Sequence, residues 1–312
     1  MANLIMNAFA FKDTYRNSPQ LGGNANSKTI DVYMKNIYVS LKSAKINNPL
    51  DDVALITNME IPLSYRYLFE ENNIKIFIVP FDDYILPSNF VWALAFFKLC
   101  AIDYMVNNYD YEHYLLIDAD TIVVDCLTNV WKEVADGVML MNTAHSLEHK
   151  ERQLIINDYK KLYGSNKNIV HYGGELIAGT KKNIIDFLLI CKKVYELIKS
   201  SNFDVAPNIG DETITSIAAY EYNNIISAQP YIYRYWTGRF YLVSTNYINN
   251  PVKIWHLPSE KETGMLDVYD YLLRKKELPD CLKLRKMVGL PKATRNITFR
   301  YIIERTIKKI KS

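Results

Sequence analysis

The segment Tyr114-Leu115-Leu116-Ile117-Asp118-Ala119-Asp120-Thr121-Ile122-Val123-Val124 sets two carboxylates, one residue apart, inside an otherwise apolar run. Side chains along an extended strand alternate between faces, so residues two apart project the same way. If the strand ends at the pair, Asp118 and Asp120 converge on one ligand. Carboxylates that close repel each other unless a cation lies between them. Oxygen ligands suit a hard cation, Mn²⁺ or Mg²⁺. The pair therefore predicts a metal site at the carboxyl end of a strand, where open α/β sheets bind ligands. The competing reading is a surface turn or helix cap.

Two carboxylates leave coordination positions to fill, and imidazole is a suitable addition for Mn²⁺. The chain has five histidines. His256 ends the short apolar strand Val252-Lys253-Ile254-Trp255-His256 and precedes a Pro-Ser loop and Lys261, which makes it the strongest candidate. His113 opens the metal strand. His145 and His149 are four apart on an expected helix, but lack the Glu of His-Glu-x-x-His that would mark a zinc protease. His171 precedes a glycine-rich stretch and carries no further indication.

The elements that must position these residues read as alternating strand and helix. Strands are expected at Asn3 to Phe11, Val53 to Thr57, Ile74 to Val79 and Tyr114 to Ile117, with a second short one from Thr121 to Val124. Helices are expected from Ser27 to Ile46, within 58–71, and from Phe90 to Val106 after a Ser88 cap. This βαβαβ order argues for a parallel sheet with helices on both faces. Further helices are expected at Leu127 to Ala135, Leu147 to Tyr163, Asn183 to Ile198 and Asp211 to Tyr222, with a strand at Val138 to Met141. Tyr172 to Gly179 reads as a short strand and glycine turn, and Tyr231 to Val243 as an aromatic strand.

Order and context together resemble the GT-A glycosyltransferases, nearest the group containing glycogenin and the bacterial lipopolysaccharide galactosyltransferases. The resemblance is carried by Asp118-Ala119-Asp120, Gly173-Gly174-Glu175-Leu176-Ile177-Ala178-Gly179, Gly210-Asp211-Glu212-Thr213 and Trp255-His256, across residues 3–265. It implies a mostly parallel Rossmann-like sheet and a catalytic domain of residues 1–265. Residues 1–125 would form the nucleotide-sugar half and 126–265 the acceptor half. It implies transfer of a hexose from a nucleotide-sugar, UDP-linked, to a glycan or lipid-linked glycan in surface polysaccharide synthesis. Asp118, Asp120 and His256 would hold the metal. Asn7, Ala8, Phe9, Tyr15, Lys98, Asp118, Ala119 and Lys261 would meet the nucleotide-sugar, and Asp211 and Glu212 the reacting sugar or acceptor. Gly174, Glu175, Trp236 and Arg239 would border the acceptor. The chain departs from those relatives in having Asp211-Glu212-Thr213 for Asp-Gln-Asp, and Lys98 where they carry Arg. An acidic Asp211 or Glu212 would also suit an inverting displacement as general base.

Other classes compete. Asp118-Ala119-Asp120-Thr121 resembles the opening motif of haloacid-dehalogenase-like phosphatases, with Asp118 as nucleophile, but that motif normally starts its fold and here follows about 110 residues. A non-catalytic glycan-binding protein on the same fold is the third reading. A P-loop at Gly22 to Thr29 fails for lack of the Gly before Lys28.

Composition bounds the rest. With 312 residues, 49% hydrophobic, the chain can bury a large core. The scattered cysteines, without Cys-x-x-Cys, suggest reduced thiols in a cytosol. No 18-residue apolar run suggests a membrane span. Residues 271–312 hold 13 Lys or Arg against 3 Asp or Glu. Phe299, Ile302, Ile303, Ile307 and Ile310 form one stripe of an expected helix with basic residues opposite. That pattern predicts a basic helical tail, 266–312, touching an anionic membrane through 295–312. The acidic body and the absence of a recognised motif argue against nucleic acid.

Overall fold

The computed structural model describes residues 2–11, 27–87, 90–203, 210–237 and 251–290, with Ile303 and Thr306. Tyr15, Ser88, Arg239, nearly all of residues 291–312 and the far end of the aromatic strand lie outside the described residues.

Seven strands form the main sheet, in the order β3-β2-β1-β4-β7-β6-β8. They are β1 (Leu4–Phe9), β2 (Asp52–Thr57), β3 (Ile74–Ile78), β4 (His113–Ile117), β6 (Val138–Asn142), β7 (Tyr172–Thr180) and β8 (Ile225–Ser227). β1 runs parallel to both β2 and β4, whereas β7 is antiparallel to β4 and to β6. A small second sheet joins β5 (Thr121–Val123), β10 (Ile254–His256) and β9 (Ile232–Arg234), with β10 in the middle. The mixed, mostly parallel α/β architecture is the one expected from the alternation of periodicities.

The strands are apolar almost throughout because both faces are covered. Ile5, Phe9, Leu115 and Ile117 point into one core with α1 (Ser27–Asn47), whose Met34, Ile37, Tyr38, Leu41 and Ala44 follow a helical stripe. Leu4, Met6, Tyr114 and Leu116 point into the other core. That core also holds α3 (Phe97–Asn108), α6 (Lys181–Ser200) and α7 (Asp211–Tyr222). Each such aliphatic or aromatic side chain contributes roughly 1.5–3 kcal/mol by leaving water. The remaining helices are α2 (Leu63–Glu71), α4 (Thr128–Glu133), α5 (Lys150–Tyr163), α8 (Gly264–Lys275) and α9 (Cys281–Met287). Val268, Tyr269 and Leu272 of α8 pack into the α1 core. No helix among the described residues is long and apolar enough to cross a membrane.

Three local expectations change. The helix expected from Phe90 begins as a 3₁₀ turn at Ala93–Phe96 and becomes α3 only at Phe97. The helix expected from Leu147 starts at Lys150, leaving His145 and His149 on the preceding turn. The expected glycine turn at Tyr172 to Gly179 is instead the continuous nine-residue β7. Its glycines serve close packing: a Cβ on Gly174 would lie 2.4 Å from Asp211 Oδ2.

Candidate active site

β1 and β4 are neighbours, but the chain leaves β1 toward β2 on one side and returns to β4 on the other. This reversal opens a crevice at their carboxyl ends, the place where α/β sheets bind ligands. Asp118 follows the last residue of β4, and its N–H still reaches Glu175 O on β7 at 3.1 Å. The strand stops there: Ala119 and Asp120 form a turn, closed by Thr121 Oγ1 donating to Asp118 O at 2.7 Å. The aspartates thus converge through a turn rather than through strand alternation.

His256 arrives by register. β10 pairs antiparallel with β5 so that His256 lies opposite Thr121, and Leu257 N–H donates to Asp120 O at 2.9 Å. His256 Nε2 is then 3.4 Å from Asp120 Oδ2 and 3.7 Å from Asp118 Oδ2. Two ammonium groups flank the pair: Lys98 on Asp118 Oδ1 at 2.6 Å and Lys261 on Asp120 Oδ2 at 2.5 Å. Burial alone would raise the Asp120 carboxyl, but Lys261 and His256 outweigh it and hold it well below the usual range. Burial likewise opposes the charge on His256, yet Asp120 and Glu175 raise the imidazole to about 9.

A second layer of charge stands behind. Glu175, fully buried on β7, receives Arg234 Nε at 2.9 Å and Nη2 at 2.6 Å. Arg234 also reaches Glu212 Oε1 at 3.3 Å. Glu212 Oε2 is 2.7 Å from His171 Nε2, and His171 Nδ1 is 2.9 Å from His145 Nδ1. Burial would raise the Glu212 and Glu175 carboxyls, but these partners keep both below the ordinary glutamate value. His145, by contrast, is lowered to about 4 by burial and by neighbouring His171 and His149.

Asp211 behaves differently from its neighbour. Gly210, at φ +69°, turns the chain into α7 beneath Trp92, where a Cβ would sit 3.0 Å from Trp92 Cβ. Asp211 and Glu212 occupy the first turn, where the helix dipole favours negative charge. Burial nevertheless dominates for Asp211, and with the Glu212 and Asp118 charges it outweighs Lys98, raising the carboxyl to about 7. Its Oδ2 has no hydrogen-bond partner among the described residues, and Lys98 Nζ stands 3.8 Å away.

These groups surround a cavity of about 360 Å³. Ala8, Phe9, Lys98, Asp118, Ala119, Asp120, Asp211, Glu212, Trp236, His256 and Lys261, all expected from the sequence, form its wall. Asn7 does not. It is buried and donates its amide to Ile117 O at 2.8 Å, so it braces the end of β4 instead of facing a nucleotide. Glu175 and Gly174 also lie behind the wall: the first is tied to Arg234, and the second accepts from Lys98 Nζ at 3.0 Å. Sequence reasoning missed Arg234, Tyr33 and Trp92 in the wall. For Arg234 the available signal was a cation two residues before Trp236 in an aromatic run.

The donor set suits a divalent cation. Asp118, Asp120 and His256 each bring a ligand atom within 4.8 Å of the others. Ligands in cis positions on an octahedral hard cation at about 2.1 Å would lie about 3.0 Å apart, a small contraction from the distances found.

No family model and no curated protein matches the sequence. Among solved structures, the chain superposes on an active-site mutant of LgtC at a TM-score of 0.52 and 13% identity, covering 90% of this chain and 99% of that one. A second structure, of galactosyltransferase LgtC in complex with donor and acceptor sugar analogues, aligns at 0.49 and 14% identity, over 96% and 99% of the two chains. The fold is therefore that of LgtC, the GT-A architecture expected from the Asp-x-Asp strand and its context.

Proposed function

We propose that the chain is a metal-dependent hexosyltransferase that moves a sugar from a nucleotide-sugar, UDP-linked, to a glycan or lipid-linked glycan. The observation that carries this reading is the Asp118–Asp120–His256 group, flanked by Lys98 and Lys261, at the carboxyl ends of β1 and β4. A divalent cation held there, Mn²⁺ or Mg²⁺, would supply Lewis-acid stabilisation of a diphosphate leaving group. Ala8 and Phe9 at the end of β1 would border the base and ribose, with Tyr33 beside them. Lys261, on the loop after β10, would exchange Asp120 for a donor phosphate.

Transfer makes a bond from an acceptor oxygen to the anomeric carbon and breaks the bond from that carbon to phosphate, whose electron pair leaves with the diphosphate. The acceptor proton needs a base. Asp211 has a pKa raised to about 7 and an unpartnered oxygen, both of which suit that role. Glu212, locked by His171 and Arg234, stays ionised and suits electrostatic stabilisation of an oxocarbenium-like centre. Trp236 and Trp92 offer aromatic surface for a sugar's C–H face. Residues 126–265 would form the acceptor half. Residues 295–312 would hold the enzyme at the cytoplasmic face of a membrane, where a lipid-linked acceptor resides.

A panel of nucleotide-sugars, each with Mn²⁺, tests the reading through turnover and thermal stabilisation. One donor should be turned over, and Asp120→Asn should lower the rate at least about 100-fold, the cost of losing one key electrostatic group. Phosphate release from simple phosphomonoesters, with no donor turned over, would refute it. Vesicle flotation tests the tail: binding to anionic vesicles that survives truncation before Pro291 would refute that part.

A further inference from the structure

A second convergence of ligating side chains stands at the rim of the same cavity. His145, His149 and Glu151 each bring one ligand atom within 4.8 Å of the others. As a helical pattern the two histidines lack an acidic partner. On the observed turn they gain one, because α5 starts at Lys150 and Glu151 occupies its first turn. The turn itself is braced. His149 N–H donates to Ser146 O at 3.2 Å, Gln153 N–H to His149 O at 2.9 Å, and Arg152 Nη1 to His145 O at 2.7 Å. Arg152 Nε, donating to Ile169 O at 2.8 Å, fastens the turn to the body.

We propose that His145, His149 and Glu151 form a second metal site, selective for a borderline transition cation such as Zn²⁺. Two imidazoles and one carboxylate, with a fourth position for water, are a zinc donor set, whereas the two carboxylates and one imidazole of the inner group suit a harder ion. Ligands on a tetrahedral zinc at about 2.1 Å lie about 3.4 Å apart, within reach of this cluster. The rings of His145 and His149 are stacked, with centroids 3.5 Å apart and 19° between planes. Convergence of their lone pairs requires one of the two rings to turn. Glu151 belongs to the cavity wall. The His145 atom that faces Glu151, Nδ1 at 3.7 Å, also faces His171 Nδ1 at 2.9 Å, so an ion on that nitrogen would displace the His171 contact and leave His171 to Glu212 alone.

The site is independent of the glycosyl-transfer reading, and its test is binding alone. The full chain is stripped with chelator, then dialysed against micromolar Zn²⁺ in millimolar Mn²⁺, and its zinc content measured. Wild type and Asp120→Asn should each retain one zinc. His149→Ala should bind at least about tenfold more weakly, and Glu151→Gln should weaken binding in the same direction. Co²⁺ in place of Zn²⁺ should give the strong visible absorption of a four-coordinate ion, lost in His149→Ala. Unchanged zinc retention in both rim variants, or its loss in Asp120→Asn, would overturn the proposal.

Discussion

Replacing Arg234 by methionine leaves Glu175 as a buried carboxylate without its guanidinium. Both Glu175 oxygens are held by Arg234, at 2.9 and 2.6 Å, and the side chain has no exposure to water. Unit charges about 4 Å apart attract by about 4 kcal/mol at an effective dielectric near 20. Breaking one side of a buried pair typically costs about 3–5 kcal/mol. The expected loss for Arg234→Met is therefore about 4 kcal/mol at pH 7.5, read from urea unfolding of the metal-free chain. Protonation limits that cost. In the variant, burial raises the folded-state pKa of Glu175, so stability falls as pH rises from the unfolded glutamate value through the raised one. Part of the loss should accordingly be recovered at pH 5. The double variant Glu175→Gln, Arg234→Met removes both charges and should recover about half or more of the loss. A lysine at 234 should restore less than arginine, because an ammonium cannot span both oxygens. A cost below about 1 kcal/mol for Arg234→Met, or a double variant no more stable than the single one, would refute the reasoning.

Three further outcomes follow from the same physics. Asp158 is buried with an unpartnered Oδ2, and desolvation raises it to about 7; wild-type stability should fall as pH rises from about 4 to 7. Asp158→Asn should remove its share of that slope, leaving the share of Asp211, and gain on the order of 2–4 kcal/mol at pH 8, and an unchanged urea profile against pH would count against it. His256, raised to about 9 without metal, must release its proton to ligate, so Mn²⁺ affinity should rise about tenfold per pH unit between pH 7 and 9 and level off above; calorimetry at pH 7.5 showing no proton release would contradict this. Gly174→Ala drives a methyl to 2.4 Å from Asp211 Oδ2 and should cost about 1–3 kcal/mol in thermal unfolding; a wild-type melting curve would show that the close approach is not tight.

Legibility in the sequence followed the range of each interaction. β1, β2, β3 and β4 and the helices between them were readable because apolar periodicity is local, and every strand residue repeats one rule. Asp118 and Asp120 stood out because two carboxylates interrupt such a run. His256 is singled out by its place after an apolar strand, and it lines the cavity beside the aspartates. Tyr172 to Gly179 reads as only a short strand and a glycine turn because glycines weaken strand propensity, whereas Gly174 is there to admit the Asp211 carboxylate within the continuous β7. The resemblance sets Asn7 toward the nucleotide-sugar, whereas its side chain is buried and donates to Ile117 O.

Sequence alone determined that an α/β sheet would end in a pair of aspartates able to hold a cation, since strand burial and carboxylate repulsion both act within a few residues. Tertiary structure decided what surrounds that pair. The antiparallel register of β10 on β5 carries His256 across 136 residues to Asp120. Packing of α7 against β7 separates two adjacent carboxyls, leaving Asp211 near neutral pH and Glu212 ionised. Charge partners act over a few ångströms through space, and the distance along the chain carries no trace of them.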